Sequence, residues 1–144
     1  MIFPMNHRLI LSKTTSAMVK YIFLWVPMVF IAIANGLVRQ VWYGRYLSEL
    51  RAHQLSSLIG IVLFGLYIWF SLSRARPATG SQALAIGFLW LGLTIAFEFS
   101  FGHFIAGHSW SRLFQDYNLV AGRFWVLVLI WITVAPYFFY RELK

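Results

Sequence analysis

The chain has 144 residues, a length for one domain; 60% of them are hydrophobic and 11% charged, where a soluble domain carries about a quarter charged. With a mean hydropathy of +0.72 there is too little polar surface to clothe a water-soluble globule, which excludes soluble enzyme folds, coiled coils and disordered tails. The absence of Cys excludes disulfide exchange, thiolate metal sites and a Cys nucleophile.

A basic tail, residues 1–19, comes first and contains His7, Arg8 and Lys13. Four apolar stretches follow, at about 21–38, 55–72, 83–104 and 124–140; a hydrocarbon layer of about 30 Å takes about 17–25 helical residues. Lipid demands that each span satisfy its own backbone, which helices do; a barrel needs at least about eight alternating strands. The expected fold class is all-α: a four-transmembrane-helix bundle, an integral membrane protein of one domain.

The first stretch imitates a secretory signal, with Ala32-Ile33-Ala34 before Asn35. Its basic leader, about twenty residues, is too long for that pattern, so a retained helix is expected. Pro27 and Pro136 fall inside spans one and four, where neighbouring helices can pair the freed carbonyls. Between spans one and two, Val38, Trp42, Tyr46 and Leu50 recur every four residues, which extends span one or lays a short helix in the interface. Residues 73–82 make a turn, and 109–117 repeat the interfacial character through Trp110, Leu113, Phe114 and Tyr117. Trp and Tyr near the span ends, Tyr21, Tyr43, Tyr117 and Trp125 among them, sit at headgroup level.

Four spans place both termini and the 73–82 turn on one side, with Arg8, Lys13, Lys20, Arg74, Arg76, Arg141 and Lys144. Arg39, Arg45, Arg51, Arg112 and Arg123 take the other. The excess assigns the first side to the cytoplasm. The net charge of +8 flanks the spans, where cations meet anionic headgroups, so nucleic acid is not an expected partner.

Glu98 is the informative residue. It stands inside span three, in Thr94-Ile95-Ala96-Phe97-Glu98-Phe99, and an acid at mid-depth costs about 2.5–3.5 kcal/mol unless it faces protein or water. Thr94, Gly102 and Ser109 share its helical face. Trp90, Leu93, Phe97, Phe101 and Phe104 form a stripe toward lipid, and Gly102 with Ala106 a small-residue contact that makes span three the most surrounded helix. Chain reversal gathers Asn35, Arg39, His53, Ser56, Ser57, Glu98 and His103 in one half of the bilayer. Glu98 can pair with Arg39, or bond Asn35 and Thr94, and so fix helix register. Alternatively this cluster is a pocket for a lipid headgroup, a quinone or a small solute; the binding set is then Asn35, Arg39, His53, Ser56, Glu98 and His103.

Other chemistry has less support. A bis-His haem needs His53 level with His103 or His108, and Glu98 and His103 lie about 140° apart on a straight helix, so they cannot hold one metal together without help from a third helix. No Gly-x-Ser-x-Gly elbow occurs. Arg112 and Asp116, at i,i+4, read as an exposed pair. No catalytic residue, metal or cofactor is assigned.

Several motifs carry a resemblance: Gly36-x-x-Arg39, Arg51-Ala52-x-Gln54, Leu89-Trp90-x-x-Leu93-Thr94-x-Ala96-Phe97-Glu98-x-x-x-Gly102, Ser109-Trp110-x-Arg112, Asp116-Tyr117 and Gly122-Arg123. Over about 32–140 the chain resembles a family of small bacterial inner-membrane proteins with four helices and no established activity. The resemblance implies a bacterial cytoplasmic-membrane location and transfers no catalytic residue. The expected function is a non-enzymatic membrane component, an accessory subunit or a lipid or quinone binder. Its expected partners are membrane lipids and a membrane protein or second copy. A proton-linked transporter with Glu98 as titrating group, or an intramembrane enzyme with Glu98 as acid/base, are the alternatives.

Overall fold

The computed structural model describes residues 7–144, with side chains at position 8 and from 15 onward. Residues 1–6 of the tail, and the side chains of His7 and Lys13, lie outside the described residues. Every described element is helical: α1 (His7–Val41), a 3-10 turn (Tyr43–Arg45), α2 (Glu49–Arg74), α3 (Gly80–Ser100), a π turn (Phe101–Ile105) that prolongs α3, the short α4 (Trp110–Gln115), a 3-10 turn (Leu119–Ala121) and α5 (Trp125–Glu142). Among the described residues, four helices are long and apolar enough to cross a membrane, over Thr15–Val41, Glu49–Arg74, Gly80–Ile105 and Trp125–Glu142.

α2 and α3 start ahead of their apolar stretches because their polar flanks hold good capping residues. Ser48 accepts from the Arg51 N–H and starts α2 at Glu49; Thr79 accepts from the Gln82 N–H and starts α3 at Gly80. Each cap satisfies an N–H that has no partner inside its own helix. The connection after span one is thus absorbed into helix at both ends, leaving a tight 3-10 turn and no separate interfacial helix. Tyr43, expected at headgroup level, is buried there at 8% exposure.

α5 packs along both α2 and α3, and α1 closes the ring against α2 and, less extensively, α3. The α3–α5 crossing is the tightest: a Cβ on Gly87 would stand 1.9 Å from the Thr133 carbonyl oxygen. Small residues let backbones approach in this way where lipid gives helices no hydrophobic reason to associate. The expected contact of Gly102 and Ala106 lies elsewhere. Gly102 is covered by Leu113 of α4, and Ala106 is exposed.

The core occupies the half of the ring that holds the 75–79 turn and the carboxyl terminus. Tyr21, Ile68, Leu72, Ile86, Trp90 and Ile132 are at most 1% exposed there. Trp90 therefore does not face lipid, as its stripe suggested. Its indole N–H donates to the Tyr21 carbonyl at 2.8 Å, a partner that hydrocarbon could not supply. Tyr21 likewise donates inward, to the Ala75 carbonyl at 2.9 Å, which ties α1 to the end of α2. The helix with the most extensive buried face is α2, from Ala52 to Leu72, and not α3. Outward, Phe23, Phe30, Leu66 and Phe88 are each more than 60% exposed, an apolar coat that suits acyl chains and not water.

Candidate functional site

Away from this core the ring opens into a cleft, and the polar residues of the spans converge on it. Asn35 of α1 donates from Nδ2 to the Ser56 carbonyl of α2 at 2.8 Å. One turn further, Arg39 Nη1 donates to Ser56 Oγ at 3.2 Å. Gly60 leaves room for this bridge, since a Cβ there would sit 3.4 Å from Asn35 Nδ2. Two side chains of one helix thus clasp one serine of the next, satisfying a carbonyl and a hydroxyl together.

Glu98 does not take part in that clasp. Its carboxylate accepts a hydrogen bond from the Tyr117 hydroxyl, and the Trp125 indole lies beside both groups. The Tyr117 ring stacks on Phe99 with centroids 5.6 Å apart. Adjacent residues of α3 therefore hold Tyr117 twice, once by its ring and once by its oxygen. Burial, followed by the charge of Glu98, raises the Tyr117 phenol above its ordinary value of 10.0, so it stays a donor at neutral pH. Thr94, the other expected partner of Glu98, instead accepts from Trp25 Nε1 at 3.0 Å.

Tyr117 reaches Glu98 because the chain folds back after α3. The π turn widens the helix end: Ala106 N–H donates to the Phe101 carbonyl at 2.9 Å and His108 N–H to that of Gly102 at 2.8 Å. Gly107, with φ +73°, makes the reversal. Ser109 then caps α4 by accepting from the Arg112 N–H. Gly122, with φ +88°, ends the excursion, and its carbonyl accepts from Gln54 Nε2 at 3.0 Å. Segment 108–121 is consequently hung between two left-handed glycines and pressed onto α3 by aromatic contacts.

The cleft beneath has a volume of about 320 Å³, and Asn35, Arg39, His53, Ser56 and Glu98 all line it. His103 does not. Its Nδ1 is 2.9 Å from the His108 carbonyl, and its ring stacks on Trp110 with centroids 3.8 Å apart. Depth alone groups His103 with the others; about the helix axis it stands roughly 140° from Glu98, and in the π turn its ring lies against Trp110 instead of the cleft. His108 and Asp116 line the cleft as well. Asp116 thus faces inward rather than forming the surface pair with Arg112, and the ion pair at this end is Glu49–Arg123, at 3.6 Å.

The cleft is graded in polarity. Past Glu98 it narrows into an apolar pocket of about 70 Å³ among Trp25, Met28, Phe97 and Ile132. In the other direction it widens to a polar mouth of about 460 Å³ flanked by Arg39, His53, Arg112, Asp116 and Arg123. Shared wall residues join the three parts, Glu98 at the inner junction and Arg39 and His53 at the outer. No group of three or more His, Asp or Glu side chains gathers as a metal site among the described residues.

His108 and Asp116 in the cleft, Arg123 at its mouth and Tyr117, which holds Glu98 from behind the wall, are the residues that sequence reasoning missed. The available signal was the pair Gly107 and Gly122 bracketing an amphipathic stretch, which marks a segment able to turn back on its own spans. No protein-family model matches the chain, and comparison with curated proteins and with solved structures gives no match either.

Proposed function

We propose that the protein is a multi-pass component of a bacterial cytoplasmic membrane, with both termini cytoplasmic, that binds an amphiphilic molecule, a lipid or a quinone, in this cleft. The observation that carries the reading is the continuous gradient from an apolar end at Trp25 and Phe97 to a polar mouth at Arg39 and His53. Sites of this kind bury an apolar body and orient it with a few polar groups. A binding role is favoured over chemistry because Asn35 and Arg39 bridge to Ser56 and Glu98 holds Tyr117. Those bonds support the walls and leave the walls to do the recognising.

Native mass spectrometry of the protein released from mild detergent tests this directly. A retained lipid or quinone that is lost when Phe97→Trp fills the apolar end is the expected result. A clean apo mass under conditions that preserve other lipid adducts overturns it.

A proton-linked carrier is the second reading, favoured by Glu98 lying at the junction of the apolar and polar parts. Four helices enclose little volume, so that reading requires an oligomer. A monomeric mass in detergent counts against it, while Glu98→Gln that folds normally yet abolishes proton-coupled flux supports it.

A further inference from the structure

We propose that the mouth of the cleft is a phosphate site, made for a phosphomonoester lipid head or the same anion free in solution. The inference rests on the amphiphile reading for its tail, and on separate observations for its head. Three arginines from three different elements border the mouth: Arg39 near the end of α1, Arg112 in α4 and Arg123 just before α5. Their acidic neighbours leave them under-supplied. Among the described residues no carboxylate lies within 4.0 Å of Arg39 or Arg112, and Arg123 meets Glu49 through Nη2 alone, at 3.6 Å. Arg123 Nη1 is buried and has no hydrogen-bond partner.

A guanidinium withdrawn from water and left half-paired is costly, unless an anion completes its donor edge. The planar fork of arginine matches phosphate oxygens two at a time. A carboxylate presents two oxygens in one plane, whereas a phosphomonoester presents three around a tetrahedron and so can answer guanidiniums that approach from three directions. Depth agrees with charge. The mouth also contains Gln40, next to the end of α1, and Ser109 and Gln115, at the two ends of the short α4 that lies beyond α3; for helices that span a bilayer, such ends lie at the level of its phosphates. An acyl or prenyl chain attached there would point down the gradient toward Phe97 and Trp25.

The test is competitive native mass spectrometry of the full chain in detergent, offered phosphatidic acid, phosphatidylcholine and inorganic phosphate in turn. The expected result is retention of phosphatidic acid over phosphatidylcholine by about tenfold, the effect of one good charge-assisted contact. Arg123→Gln and Arg112→Gln should each cut that preference to near parity. Arg112 is exposed, so its variant keeps the fold if Arg123→Gln does not, and a melting curve on each verifies this. Equal retention of both lipids, or a preference untouched in folded Arg112→Gln and Arg123→Gln, overturns the phosphate assignment and leaves amphiphile binding standing. Binding of inorganic phosphate with no lipid adduct at all does the reverse: it upholds the anion site and sinks the amphiphile reading.

Discussion

Tyr117 and Glu98 are 19 residues apart in the chain and joined by a hydrogen bond from the phenol to the carboxylate. That bond fastens segment 108–121 to α3. It also gives an acid inside the long apolar α3 a partner from the segment that follows that helix. A basic partner was available in principle, yet Arg39 is engaged with Ser56 on the opposite wall.

Removing the phenol should therefore loosen the loop and leave an acceptor short. Tyr117→Phe is expected to destabilise by about 1.5–3 kcal/mol, the range for a hydrogen bond to a charged group. Glu98→Gln, which keeps an acceptor oxygen, should cost less than Glu98→Ala. Thermal unfolding in detergent, run as a double-mutant cycle, measures the coupling; additive effects of Tyr117→Phe and Glu98→Ala would show that the two groups do not interact.

The same bond predicts a pH dependence. Burial and the charge of Glu98 raise the Tyr117 pKa in the folded state above its ordinary 10.0. Folding thus favours the protonated phenol, and its contribution is complete below pH 10 and declines as the pH climbs beyond that value. Unfolding followed at a series of alkaline pH values should show a fall in stability that Tyr117→Phe flattens. An unchanged alkaline slope in that variant would remove Tyr117 as the source.

Gly87 tests the helix crossing. Its absent Cβ is what lets α3 reach the Thr133 carbonyl, so Gly87→Ala should cost about 1–3 kcal/mol as the helices are forced apart. Gly92, where an added methyl would meet nothing within 4 Å, is the control: Gly92→Ala should not destabilise and should gain up to about 1 kcal/mol of helix propensity. Equal melting temperatures for the two variants would place the close approach elsewhere.

Gly107 tests the reversal that sets up the loop. Space is open around it, so Gly107→Ala carries the backbone penalty alone, about 1–2 kcal/mol for a left-handed residue with a side chain. Gly107→Asn should recover part of that loss. Gly122→Ala should be worse than Gly107→Ala, because its Cβ would also stand 3.1 Å from Gln54 Nε2. Urea or thermal melts of the three variants rank them.

Topology can be read with introduced thiols, since the chain has no Cys of its own. Arg76→Cys and Lys144→Cys should react with an impermeant maleimide from one face of the membrane, and Val120→Cys, wholly exposed at 100%, from the other. Labelling of all three from a single face would refute a four-span arrangement.

The sequence by itself determined the four long apolar helices, because hydropathy and helix length are local quantities that lipid fixes span by span. It also determined that Asn35, Arg39, His53, Ser56 and Glu98 would share one end of the ring, since chain reversal sets depth without knowledge of packing. Which groups touch was decided only by the tertiary structure. Trp90 turned to the core, Arg39 went to Ser56, and Glu98 found Tyr117. Rotation about a helix axis is settled by the neighbouring surface, and a π turn and two left-handed glycines change the angular step that any regular-helix extrapolation assumes. Depth along a span adds up residue by residue, whereas facing depends on every element packed against it.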